Sequence, residues 1–231
     1  MRLYPMQYPI FQDKRYGGLE VLLKTENFYS KEFCYEEVHL KHDIFDFDTF
    51  ETNPMVFYVV ATDVDTEEAV YHKLEDRNDH GFEWIRASAS VPMFLQMVEI
   101  NGARYLDGAL ADSIPVRYFE GLGYDRNIII LTQPKGFRKR KDKAFPLMNL
   151  KYRDYPELVQ TMEKRHIRYN QTLSYISQKE QKGKLLVIRP DSPLPVSRTE
   201  KNPEKLRQAY EMGRQEAERR KDEIKDYLKL N

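Results

Sequence analysis

The hydrophobic positions of this chain fall into short continuous runs and longer helical stripes. Within PMVFYVVATDVDT (54–66), Met55 to Ala61 is a nearly unbroken apolar run, which predicts a strand buried on both faces. RNIIILTQP (126–134) and KLLVIRP (184–190) are two further runs of this kind. EAVYHKL (68–74) alternates and predicts a hairpin partner or edge strand. In MVEINGARYLDG (97–108), Asn101-Gly102 separates two short alternating segments. That dipeptide predicts a type I′ hairpin turn, because both residues tolerate positive φ.

The remaining pattern is helical. GFEWIRASAS (81–90) predicts a short helix or turn ending before Pro92, and PVRYFEGLGYD (115–125) a short helix stopped by Gly121 or Gly123. In 154–179, Leu158, Met162, Tyr169, Leu173 and Ile176 form one stripe, with Asp154 and Glu157 as a capping pair. Residues 202–230 predict one long charged helix, with Asn202 as cap and Pro203 in its first turn. Its stripe of Leu206, Tyr210, Gly213, Ala217, Ile224 and Leu228 is narrow, which predicts a surface position. Strands alternating with helices predict an α/β fold, a three-layer α/β/α sandwich with a mainly parallel sheet. The expected division is a main domain over 1–150 and an α-rich extension with one strand over 151–231. Residues 1–18 carry no recognisable strand or helix opening.

Composition narrows this picture only modestly. The 37 acidic residues balance 37 basic ones, so no global field points to nucleic acid. Cys34 is the lone cysteine and has no partner for an internal disulfide, which fits a reducing compartment. No window approaches the ~20 apolar residues of a membrane helix. The opening residues, interrupted by Pro5 and Pro9, lack a signal-peptide core. The chain reads as cytoplasmic.

Two carboxylates stand where strands give way to loops, the usual place for working groups in open α/β sheets. Asp63 reads as a turn cap bonding the next amides. Asp107 lies beside Gly108 and Ala109, whose lack of bulk allows close approach by a substrate or another side chain. His39, His42 and Asp43, and likewise His72, Asp76, Asp79 and His80, are close enough in sequence to meet at a metal, but solvated loops account for both groups. The basic run Arg138 to Lys143 is either a solvated loop or a contact for anionic phospholipid headgroups. VPMFLQM (91–97) is either a core segment or an apolar rim for acyl chains.

IRASASVPMFLQMVEINGARYLDGALADSIPV (85–116) closely resembles the second signature block of the patatin-like phospholipases. The matching elements, in order, are Ala87-Ser88-Ala89-Ser90-Val91-Pro92, Asp107-Gly108-Ala109 and Pro115-Val116. The likeness extends from about Lys14 to Arg140, and LKYRDYPELVQTMEKRHIRYNQTL (150–173) resembles the tail of a bacterial subgroup. The resemblance implies a serine lipid acyl hydrolase, a phospholipase or esterase working through a Ser–Asp dyad. Asp107 of the D-G-A motif would be the base, with Gly108 and Ala109 beside it. Substrate would be a lipid or phospholipid ester, met in the cytoplasm or peripherally at the membrane, with no metal or cofactor and no nucleic-acid partner.

The chain departs from this family at its front. None of its ten glycines are spaced four apart around a serine, so the Gly-x-Ser-x-Gly elbow is absent, as is the glycine-rich oxyanion loop. The expectation is an N-terminally incomplete fold whose isolated chain is inactive. The alternative is a non-catalytic α/β lipid- or protein-binding module. Ser88, Ser90 and Ser113 are the serines nearest the motif, but nothing around them marks an elbow.

Overall fold

The computed structural model describes residues 10–75 and 80–229. Pro5, Pro9, Asp76 and Asp79, invoked above, lie outside these residues. The fold divides into two compact units. The first holds the chain up to Ser113 together with Lys141–Arg165, and the second holds Ile114–Arg140 and His166 onward.

The sheet of the first unit is built from two hairpins. β1 (Phe57–Asp63) and β2 (Ala69–Leu74) pair antiparallel, with Val59 opposite His72 and Ala61 opposite Val70. β3 (Val98–Ile100) and β4 (Ala103–Asp107) turn through Asn101 at φ 52° and Gly102 at φ 81°. Both turn residues thus adopt the positive φ that the Asn-Gly signal requires. β4 joins the hairpins by pairing antiparallel with β1, Ala61 opposite Asp107, giving the order β2-β1-β4-β3.

Because side chains alternate along a strand, this sheet presents two different faces. One carries Val59, Ala61, Val98, Ile100 and Tyr105 against Trp84 and Ala87 of α3 (Gly81–Ser88). The other places Leu106 with Met148 and Tyr152, on and just after α5 (Phe145–Lys151), and with Leu158 and Met162 at the start of α6 (Pro156–Gln181). Helices therefore cover both faces, as the layered α/β reading requires.

Strand direction corrects that reading. The larger sheet is antiparallel throughout, and only β5 (Asn127–Ile130) and β6 (Leu185–Ile188) of the second unit run parallel. The apolar run of β1 reports burial on both faces, which a central antiparallel strand covered by helices shares with a parallel one. The short hairpin turns fix the direction instead. β5 also differs from the buried strand its sequence suggests: Ile129 packs towards Val116 of α4 (Val116–Gly121) and towards Leu173, Ile176 and Val187, while Ile130 is 75% exposed.

The first unit opens with helices that the sequence does not announce. These are α1 (Leu19–Thr25), wide π-type turns over Glu32–His42, and α2 (Phe47–Thr52). α6 buries Leu158, Met162, Leu173 and Ile176, the stripe read from its period. Its first helical residue is Pro156, so Tyr155, whose carbonyl accepts from Val159 N–H at 3.0 Å, holds the cap position rather than Asp154.

The last helix is two. α7 (Pro203–Arg219) is capped by the Asn202 side chain accepting from Glu204 N–H at 2.9 Å, and α8 (Lys221–Leu228) follows Arg220. The Arg220 guanidinium donates to the Val187 carbonyl on β6 and to Glu223, and this tether lies at the break. Neither helix buries a residue, in keeping with the narrow stripe.

Candidate active site

Asp107 ends β4 and begins a 3₁₀ turn, Gly108–Leu110. Its own Oδ1 accepts from Ala109 N–H at 2.7 Å, so the carboxylate caps the turn it introduces. The backbone of Asp107 is held from two sides. Its N–H donates to the Ser90 carbonyl at 3.0 Å, and its carbonyl accepts from Thr62 Oγ1 at 2.9 Å. The same Thr62 oxygen accepts from Ala111 N–H at 3.2 Å, tying both ends of the turn to β1. Thr62 is fully buried, so its hydroxyl works in a low-dielectric setting where such bonds hold strongly.

Gly108 is buried against β1. A Cβ built there would stand 2.2 Å from the Val60 carbonyl oxygen. The missing side chain makes room for the β1 backbone. The Ala109 carbonyl accepts from Arg165 Nε and from Ser113 Oγ, each at 2.8 Å, so α6 also grips the turn. Asp112, one turn on, accepts from the Tyr71 hydroxyl of β2 at 2.7 Å.

Two of the three serines near the motif spend their hydroxyls on backbone carbonyls. Ser90, almost fully buried, donates its hydroxyl to the Arg86 carbonyl at 2.8 Å, and Ser113 donates to Ala109. Ser88 is the last residue of α3. Cys34 is an unsuitable nucleophile, because burial pushes its thiol up to about 11 and a thiol at neutral pH attacks poorly.

Other sequence candidates resolve into structural roles. Asp63 Oδ1 accepts from Asp65 N–H at 2.9 Å and Thr66 N–H at 2.8 Å, the turn cap expected of it. His42 Nε2 lies 3.1 Å from Glu37, His39 stacks on Phe82, and His72 stacks on Trp84 with centroids 4.1 Å apart. Among the described residues no three His, Cys, Asp or Glu side chains are grouped as metal ligands would be. In VPMFLQM, Pro92 and Leu95 are buried, Met93 and Met97 pack with Leu106 and Met148, and Phe94 meets Phe28 edge-on. It is largely a core segment.

The basic run is surface loop. Lys139 exchanges backbone bonds with the Asn170 amide, and Lys141 pairs with Glu163 at 2.6 Å. Among the described residues, no helix is long and apolar enough to cross a membrane.

Sequence reasoning passed over Thr62 and Arg165. Thr62 carried a signal, a polar residue inside a buried apolar strand. Arg165, 56 positions from Ala109, carried none.

No curated protein matches the chain. Residues 155–229 match a domain of unknown function, DUF6363. Residues 15–120 match the family model of the patatin-like phospholipases, over the stretch that contains β1, β4 and the Asp107-Gly108-Ala109 turn. Over residues 15–120 the chain is thus similar to the patatin-like phospholipases, the family that its sequence resembles.

Proposed function

We propose that this chain carries the aspartate half of a lipid acyl hydrolase that works through a Ser–Asp dyad, with Asp107 as the general base. In that chemistry the carboxylate takes the proton of a serine hydroxyl as its oxygen attacks the ester carbonyl. The alcohol leaves with a proton, and water then releases the acyl group with the same carboxylate as base. The substrate is a lipid or phospholipid ester. The basic run Arg138–Lys143 meets anionic headgroups when the protein works peripherally at a membrane from the cytoplasm.

The observation that carries the reading is the fixation of Asp107. A general base must sit within hydrogen-bond reach of one defined proton. Thr62 and Ser90 pin its backbone, and Gly108 admits the β1 carbonyl behind it. Ser90 and Ser113 spend their hydroxyls on backbone carbonyls, which supports placing the nucleophile on a Gly-x-Ser-x-Gly elbow not found in these 231 residues. Loss of a nucleophile costs about 10⁶ in turnover in comparable serine hydrolases. The chain by itself is therefore inactive.

A p-nitrophenyl ester assay and fluorophosphonate labelling test this directly. The 231-residue chain is expected to show neither turnover nor labelling. Adding before Met1 a segment with a glycine-rich loop and a Gly-x-Ser-x-Gly elbow is expected to create labelling that Asp107→Asn abolishes. Labelling of the chain alone that disappears on changing Ser88, Ser90 or Ser113 would overturn the proposed location of the nucleophile. Failure of the extended protein to label would favour the non-catalytic binding module.

A further inference from the structure

The first unit holds a concave site apart from the Asp107 turn. A cleft of about 560 Å³ opens between α2, the start of β1, the end of β2 and the start of α3. Phe45, Phe47, Phe50, Phe57 and Phe82 line it, over Leu74 and Ile85. The rings are already assembled edge to face: Phe45 lies 4.9 Å from Phe47 and 5.8 Å from Phe82, and Phe47 lies 5.7 Å from Phe82. His39 stacks on Phe82 at 4.8 Å. A volume in this range, walled by preformed rings, suits a small apolar ligand.

Charge selects the kind of ligand. Among the described residues lining the cleft, Asp46 is the only charged side chain. Hydrogen bonds from Thr49, backbone first and then hydroxyl, hold its carboxyl below the usual carboxylate range, so it stays ionised at neutral pH. Asp43, Asp48 and Glu51, exposed to solvent, lie along the same stretch of sequence. Aromatic faces attract cations and carboxylates reinforce them, whereas an anionic head meets only repulsion.

We propose that this cleft binds a lipophilic cation, an alkyl chain bearing an ammonium head, with the chain among the phenylalanines and the head at Asp46. The proposal does not depend on the hydrolase reading, because it uses neither Asp107 nor any nucleophile.

Titration of the whole chain with octyltrimethylammonium, octanol and octanoate tests it. Calorimetry supplies the affinities, and Trp84, the only tryptophan, reports optically because it packs in one cluster with Leu74, Phe50 and Ile85 beneath the cleft. The cation is expected to bind most tightly and octanoate least. Asp46→Asn preserves the helix cap, since asparagine caps equally well. It is expected to weaken the cation roughly threefold and leave octanol unchanged. Phe82→Ala is expected to weaken both roughly tenfold. The proposal is overturned by octanoate binding as tightly as the cation, by equal cation affinity in wild type and Asp46→Asn, or by no cation binding.

Discussion

The Val60 carbonyl oxygen on β1 occupies the volume that a side chain at Gly108 would need, only 2.2 Å from the Cβ position. The carbon of that carbonyl would be 2.5 Å away, so the obstacle is backbone and has no rotamer to change. β1 is one of the two central strands, paired on both sides, and has little freedom to retreat.

Gly108→Ala is therefore expected to destabilise the first unit by about 3 kcal/mol, the upper part of the range for overpacking. Gly102→Ala offers the contrast. Nothing lies near its Cβ position, but its φ of 81° strains any side chain, for about 1 kcal/mol. Urea unfolding of both variants checks the order, and a Gly108→Ala chain as stable as wild type would refute the steric account.

Thr62→Val keeps the shape of the residue and removes the hydroxyl that bridges the Asp107 carbonyl and the Ala111 amide. Because the site is fully buried, no water replaces it, and a loss of about 2 kcal/mol is expected. Amide exchange at Ala111 should quicken more than at residues of β2. Unchanged exchange there would show that Thr62 does not hold the turn.

Cys34 gives a pH signature. Burial raises its thiol from 9.0 to about 11, so the fold prefers the neutral form. That contribution is complete below pH 9.0 and is lost as pH climbs through about 11, making the native state alkali-sensitive. At pH 8, alkylation by iodoacetamide should run about a hundredfold slower in the native chain than in urea. Equal rates would contradict the burial.

Much of the fold was legible because it rests on local pattern. The β3–β4 hairpin follows from Asn101-Gly102, the cap of α7 from Asn202, and the buried stripe of α6 from its period. Asp63 likewise announced its turn, since an aspartate at a strand end bonds amides two and three residues on. The helices between Leu19 and Thr52 were not legible. They have short or irregular apolar spacing, and they are organised by packing such as Ile10 on Phe33 and Val38.

By itself, the sequence determined where the strands, α3 and α6 lie and which motif surrounds Asp107, because periodicity and turn chemistry act over a few residues. Tertiary structure decided the pairing of β1 with β4 that joins the two hairpins, the break at Arg220 and the grip on the Asp107 turn. Those depend on groups distant in sequence, such as Thr62, 45 positions away, and Arg165. The opening of D-G-A thus has two origins. Its aspartate is legible as chemistry, while its glycine is required by a backbone carbonyl that only the folded sheet brings against it.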